Sequence, residues 1–203
     1  MNNKEPNTSK PTAMYIHGLA SGANSNTGKE MQKSFPNYNW LLPEVNEVLT
    51  EAIDTINQWI EKHNPQVIIG TSYGGLMTMY ADAPNSVKIV CNPAVNAEVS
   101  FVEKIGLGEH EYFLQRLDGA KTFVIDETIC QGIADYKATH NPISGVQNHA
   151  IFAANDEVIG KDATLTNAAF AYDNGYKIHI DAKGMHRNTP STLDIISKII
   201  AEL

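Results

Sequence analysis

Residues 67–75 read Val67-Ile68-Ile69-Gly70-Thr71-Ser72-Tyr73-Gly74-Gly75. A serine hydroxyl attacks a carbonyl carbon only when a neighbouring base takes its proton. Here Gly70-x-Ser72-x-Gly74 lies between a short β-branched apolar run and a stretch of fair helix formers at 76–81. Strand, tight turn, helix is the order in which this string forms a nucleophile elbow. Sterics explain the glycines: on so sharp a turn the positions two residues either side of the serine come too close to their neighbours to carry a Cβ. Without the flanking strand and helix, the same spacing is only a glycine-rich loop.

The serine needs a base within hydrogen-bond reach and a third group to orient that base. In parallel α/β sheets such groups lie in loops at the carboxyl ends of strands. Of the 7 histidines, only His17 and His186 sit at expected strand exits. The chain order that goes with an elbow serine is Ser, acid, His. His186 fits that order as the base, and His17 is left to support its own loop. Asp156, directly after an expected strand and one helix and one strand before His186, is the candidate acid. Glu157 is its rival one position on, while Asp181 lies too close to the last strand to be preferred. An oxyanion hole requires two backbone N–H donors. The amide of Tyr73, next after the nucleophile, is one candidate, and the amide of Leu19, in the loop after the first strand, is the other.

These residues need a scaffold, and hydrophobic periodicity supplies one. Short apolar runs at 13–17, 40–42, 66–70, 87–91 and 150–154 predict buried strands, and 176–180 alternates like a strand at or near the sheet edge. The spacing of Val48, Leu49, Ala52, Ile53, Ile56, Trp59 and Ile60 predicts a helix over 47–63, with Asn46 as N-cap and Pro65 beyond its end. Further helices are expected at 29–35, from the elbow to about 83, and at 161–173. A last one opens with Thr189-Pro190 as N-cap and N1. The alternation predicts a doubly wound, mostly parallel α/β sheet with helices on both faces. Residues 1–11 read as a flexible leader and 12–203 as a single domain. Within it, 97–146 is loosely patterned: helices at 95–105, 111–117 and 129–138, a strand at 122–125, and together a lid-like insertion or cap. Tyr112, Phe113, Leu117, Ile129 and Tyr136 would line such a lid or pack it onto the core.

The totals exclude several classes. A formal charge of −8 and a pI near 5.3 argue against a nucleic-acid surface or attraction to anionic membranes. The 2 cysteines, Cys91 and Cys130, form no metal or disulfide pattern. No apolar run approaches the roughly 20 residues of a membrane span, and no secretory h-region is visible, so a cytoplasmic location is expected. Gly22 to Lys29 mimics a phosphate loop but has the wrong glycine spacing and Glu30 at the Ser/Thr position. No cofactor and no metal are expected.

Further strings accompany the elbow: His17-Gly18, Asn92-Pro93-Ala94, Asp156-Glu157-Val158 and Gly184-Met185-His186. Together they resemble the α/β-hydrolase superfamily, and more narrowly the small YqiA-like esterases. The resemblance runs from Tyr15 onward. It implies a compact α/β-hydrolase fold, a Ser72, Asp156, His186 triad, and hydrolysis of small to medium carboxylic esters or acyl thioesters. Tyr73 stands where leucine is common in that group, and 111–139 matches loosely. The same triad could serve an acyltransferase, and the same scaffold a non-catalytic binding protein.

Overall fold

The computed structural model describes residues 10–203; of the expected leader, residues 1–9 lie outside the described residues. Six strands, β1 (Thr12–Ile16), β2 (Asn39–Leu41), β3 (Val67–Thr71), β4 (Val87–Cys91), β7 (Gln147–Ala153) and β8 (Lys177–Asp181), form one sheet in the order β2-β1-β3-β4-β7-β8. Every pairing in it is parallel, with Met14 opposite Ile68, Ile69 opposite Ile89 and Val90 opposite Ala150. Two further strands, β5 (Gly108–Glu111) and β6 (Thr122–Ile125), pair antiparallel in a separate hairpin.

Parallel pairing requires crossovers, and these are the helices. On one face α1 (Asn26–Ser34) and α7 (Pro190–Ala201) bring Met31, Ile196 and Ile199 onto Val67, Ile69 and Ile89. On the other, α2 (Leu49–His63), α3 (Tyr73–Tyr80), α5 (Glu127–Thr139) and α6 (Lys161–Asp173) pack Ile56, Leu76, Ile133 and Ala171 against Met14, Ile68 and Val90. Strand alternation sends Val67 and Ile69 one way and Ile68 the other, so β3 is buried on both sides. Each such aliphatic side chain contributes about 1.5–3 kcal/mol on burial. Strand order runs from β1 outward to β2 on one side and through β3 to β8 on the other. The switch point thus falls between the carboxyl ends of β1 and β3, where a crevice is expected.

The structure corrects four local expectations. Helix α2 opens at Leu49, after Val48, because Glu47 is turned into the protein. Asn46 instead accepts the Val48 N–H through its side chain at 3.2 Å. Strand β7 starts at Gln147, since His149 and its neighbours extend the ladder opposite Val87–Ile89. The expected helix at 95–105 is split into α4 (Ala97–Ser100) and a π-helical turn, Phe101–Ile105. The short helix expected at 111–117 is absent. Gly106 and Gly108, with φ of 89° and 129°, turn the chain into the β5–β6 hairpin.

Candidate functional site

Ser72 joins β3 to α3 with φ 57° and ψ −121°, a strained conformation for a residue with a Cβ. The surroundings enforce it. Its N–H donates to Cys91 O at 2.9 Å, and its carbonyl accepts from Gly75, Leu76 and Ala94. A Cβ on Gly70 would collide with Thr78 Oγ1 and the Gly74 carbonyl, and one on Gly74 with the carbonyls of Ile16 and His17. The two glycines let the elbow press against both β1 and its own helix, as their spacing predicts.

Asp156 and His186 come together across the ends of β7 and β8. The His186 ring nitrogen Nδ1 lies 2.9 Å from Asp156 Oδ2 and 3.1 Å from Oδ1. A carboxylate only accepts, so Nδ1 carries the proton and Nε2 is left free as a base. Asp156 Oδ1 also accepts from the Val158 and Ile159 amides at 2.9 and 2.7 Å. Burial raises the Asp156 carboxyl, but the His186 bond and charge and those amides outweigh it and hold the group below the usual range. The acid therefore stays ionised with 2 % of its side chain exposed, while His186 keeps 13 %.

Three residues support this pair through contacts that the sequence did not indicate. Asn92, at φ 46°, donates from Nδ2 to the carbonyls of Met185 and His186 at 3.0 Å each and accepts the Ala153 amide at 2.7 Å. It thereby ties the histidine loop to β7. Glu157 accepts the His186 amide at 3.0 Å, which gives the rival acid a different place. Asp181 is buried and accepts from Ser191 and Thr192 hydroxyls at 2.7 Å each and from the Lys183 amide at 3.2 Å. It braces the far end of the loop. The Asn92-Pro93-Ala94 string at a strand exit was the one visible signal.

On the other side of Ser72, Gly18 packs so closely that a Cβ there would lie 3.2 Å from Ser72 Cβ and 3.8 Å from Oγ. His17 Nδ1 lies 3.0 Å from Gly18 O, so this nitrogen donates in either charge state. Leu19, Gly18, Ser72 and His186 all line one open cavity of about 1020 Å³, at the upper end of the size of small-molecule sites. Tyr73, the other oxyanion candidate, is buried and donates its phenol to Glu47 O at 2.9 Å. Ser72 and His186 meet at the cavity without a direct hydrogen bond in this structure.

Its lining mixes apolar side chains, among them Ala94, Phe101, Ile105 and Ile159, with polar ones such as Ser21, Asn24, Asn26 and Thr27. Phe113, Leu114 and Phe123 from the segment 97–146 add further apolar surface. The charged lining residues are Lys29, Lys104 and Arg187 against Glu111. Among the described residues no cluster of three or more His, Cys, Asp or Glu could hold a metal ion.

A doubly wound parallel sheet with a strained serine elbow and a carboxylate–histidine pair at its carboxyl edge defines the α/β-hydrolase fold. Solved structures of that fold superimpose on nearly the whole chain. They include mouse alpha/beta hydrolase domain-containing protein 10, with TM-score 0.68, 11 % identity, and 100 % of this chain and 96 % of that one covered. Est1E from Butyrivibrio proteoclasticus gives TM-score 0.64 and 15 % identity, covering 98 % and 88 %. The Paleococcus ferrophilus monoacylglycerol lipase gives 0.60 and 11 %, covering 94 % and 92 %. No curated protein matches the chain. Within this fold the chain belongs to the Uncharacterised protein family (UPF0227), whose model matches residues 12–170.

Proposed function

We propose that the protein is a serine hydrolase of small to medium carboxylic esters, acyl thioesters included, acting through an acyl-enzyme. The observation that carries this reading is the ionised, buried Asp156 held against His186 Nδ1, which leaves Nε2 as the free ring nitrogen in a cavity that also exposes Ser72. Structural neighbours named esterase PE8 and a monoacylglycerol lipase support an ester substrate.

In the proposed reaction His186 Nε2 takes the Ser72 proton as Oγ bonds to the carbonyl carbon, and the carbonyl π pair moves onto oxygen. The amides of Tyr73 and Leu19 hydrogen-bond that oxyanion. Collapse re-forms the carbonyl, breaks the bond to the leaving alcohol or thiol, and returns the proton from His186 to it. Water then repeats the cycle on the acyl-enzyme and releases the acid. Asp156 holds the tautomer and stabilises the imidazolium without taking the proton.

A lining with both apolar and polar side chains supports an ester that carries groups of both kinds. Fluorophosphonate labelling of the purified chain, run beside Ser72→Ala, tests the reading. Labelling is expected in the parent and absent in the variant; a label that survives the substitution, or a parent that never labels, would sink it.

A further inference from the structure

Segment 44–47, between β2 and α2, contacts Tyr73, the His17 ring and the stretch 112–117 beside the cavity. Glu44 Oε1 accepts the Ala23 amide at 3.1 Å and lies 3.2 Å from both His17 Nε2 and Arg116 Nη1. Its other oxygen accepts the Leu117 amide at 3.0 Å. Arg116 Nη1 donates to the carbonyls of Ser21 and Val45 at 3.1 and 3.0 Å, and the guanidinium stacks 4.4 Å from the centre of the Tyr112 ring. The Tyr112 hydroxyl donates to Glu47 Oε1 at 2.8 Å, and the Tyr73 hydroxyl to Glu47 O at 2.9 Å. The Phe113 amide adds a bond to Ala20 O at 2.9 Å. Three separate stretches, 17–23, 44–47 and 112–117, are thus laced together beside the cavity.

The consequence follows from peptide geometry. The Gly18–Leu19 peptide is trans, so its C=O and N–H point in opposite directions in one plane. His17 Nδ1 holds the C=O and therefore sets where the Leu19 N–H points. His17 in turn is held through Nε2, which accepts the Val45 amide at 3.3 Å when neutral and reaches Glu44 when protonated. The second donor, the Tyr73 amide, is on a residue anchored at Glu47. Arg116 is 4 % exposed, too buried for a solvated surface cation, and faces Ser21 on the loop that carries Leu19.

We propose that Glu44 and Arg116 are positioning residues for the oxyanion hole, locking the Gly18–Leu19 peptide plane to the β5–β6 hairpin so that hairpin docking and hole geometry are one unit. The proposal rests on the serine-hydrolase reading above. An oxyanion donor stabilises charge that appears only in the transition state. Loosening it therefore lowers kcat and leaves KM nearly unchanged.

The test compares Glu44→Ala, Glu44→Gln, Arg116→Met and Arg116→Lys with the parent chain. It reads kcat and KM for a 4-nitrophenyl butyrate probe, the rate of fluorophosphonate labelling, and Tm. We expect kcat and the labelling rate to fall on the order of 10–100-fold in Glu44→Ala and Arg116→Met. KM should stay within about 3-fold, with partial recovery in Glu44→Gln and Arg116→Lys. Tyr112→Phe removes one hydroxyl at a partly exposed site and keeps the test alive if the larger changes fail to fold. It should lower kcat by roughly 2–5-fold with Tm nearly unchanged, as the loss of one modest hydrogen bond. Folded variants with parental kcat and labelling rate, or a raised KM at constant kcat, overturn the positioning role alone. A parent chain that neither labels nor turns over overturns the hydrolase reading, and this proposal with it.

Discussion

Asp156 is the residue on which charge, burial and orientation meet. Its carboxyl is held below the usual range: burial opposes this, and the His186 bond and the neighbouring amides prevail. Asp156→Asn keeps an acceptor for those amides but offers an N–H where the imidazole must donate. The expected outcome is a fall in kcat of about 10⁴-fold with little change in KM, read by steady-state kinetics. The same depression fixes a stability trend. A carboxylate whose folded pKa lies below its unfolded value, near 4, stabilises the fold above that value and loses the contribution as pH falls through the folded pKa. Asp181 and Glu44 are shifted the same way: burial raises each, and hydrogen bonds from Thr192 and Ser191 or from His17 and the Leu117 amide overcome it. These three carboxylates should therefore leave urea midpoints unchanged above about pH 5 and lower them steeply below about 4. Ser72, Asp156 and His186 could be nominated from the sequence because each sits in a short string after a strand. Asn92 could not be given its role, since the carbonyls it holds lie 93 and 94 positions away.

The elbow is the element whose geometry admits least change. Gly74→Ala places a methyl on the Ile16 and His17 carbonyls, and because both belong to the end of β1 and its loop, neither can retreat. Loss of labelling at Ser72 and a Tm lower by several degrees are expected, measured on the same preparation. Strand β4 carries a different strain. Lys88 is fully buried at its centre, yet donates to Ala81 O at 2.5 Å, just beyond α3, and to Ile143 O at 2.6 Å. Burial pushes its ammonium down to about 7, against the pull of Asp82. Between pH 7 and roughly 10 the unfolded chain holds the proton that the folded one has shed, so this site's contribution to stability rises with pH across that interval. Lys88→Met should abolish that rise and leave two carbonyls unpaired, costing roughly 1–3 kcal/mol in denaturant unfolding. Strand and helix identities were legible wherever apolar periodicity was strong. They failed at 111–117, where Glu111 pairs with Thr122 at the end of β5 and 112–117 runs in the connection to β6, overriding a weak helical pattern.

At the scale of the molecule, a chain of formal charge −8 carries Lys29, Lys104 and Arg187 against Glu111 around its cavity. Lys104 is engaged by the Val158 and Ile159 carbonyls, whereas Lys29 and Arg187 are exposed. An ester bearing a carboxylate or phosphate should therefore show a higher kcat/KM than its neutral analogue. The advantage should shrink between 20 and 500 mM salt and reverse in Lys29→Glu combined with Arg187→Glu. No helix among the described residues is long and apolar enough to cross a membrane. The sequence by itself determined the parallel α/β alternation, the elbow and the nucleophile, acid and base candidates. These depend on backbone sterics and periodicity among residues close along the chain. Only the tertiary structure decided that Asp156 takes the imidazole while Glu157 takes the amide, that Asn92 and Asp181 brace the histidine loop, and that Glu44 and Arg116 join the hairpin to the Gly18–Leu19 peptide. The physical reason is that a side-chain hydrogen bond depends on distances of about 3 Å and on direction. Between residues remote in the chain, folding alone sets both.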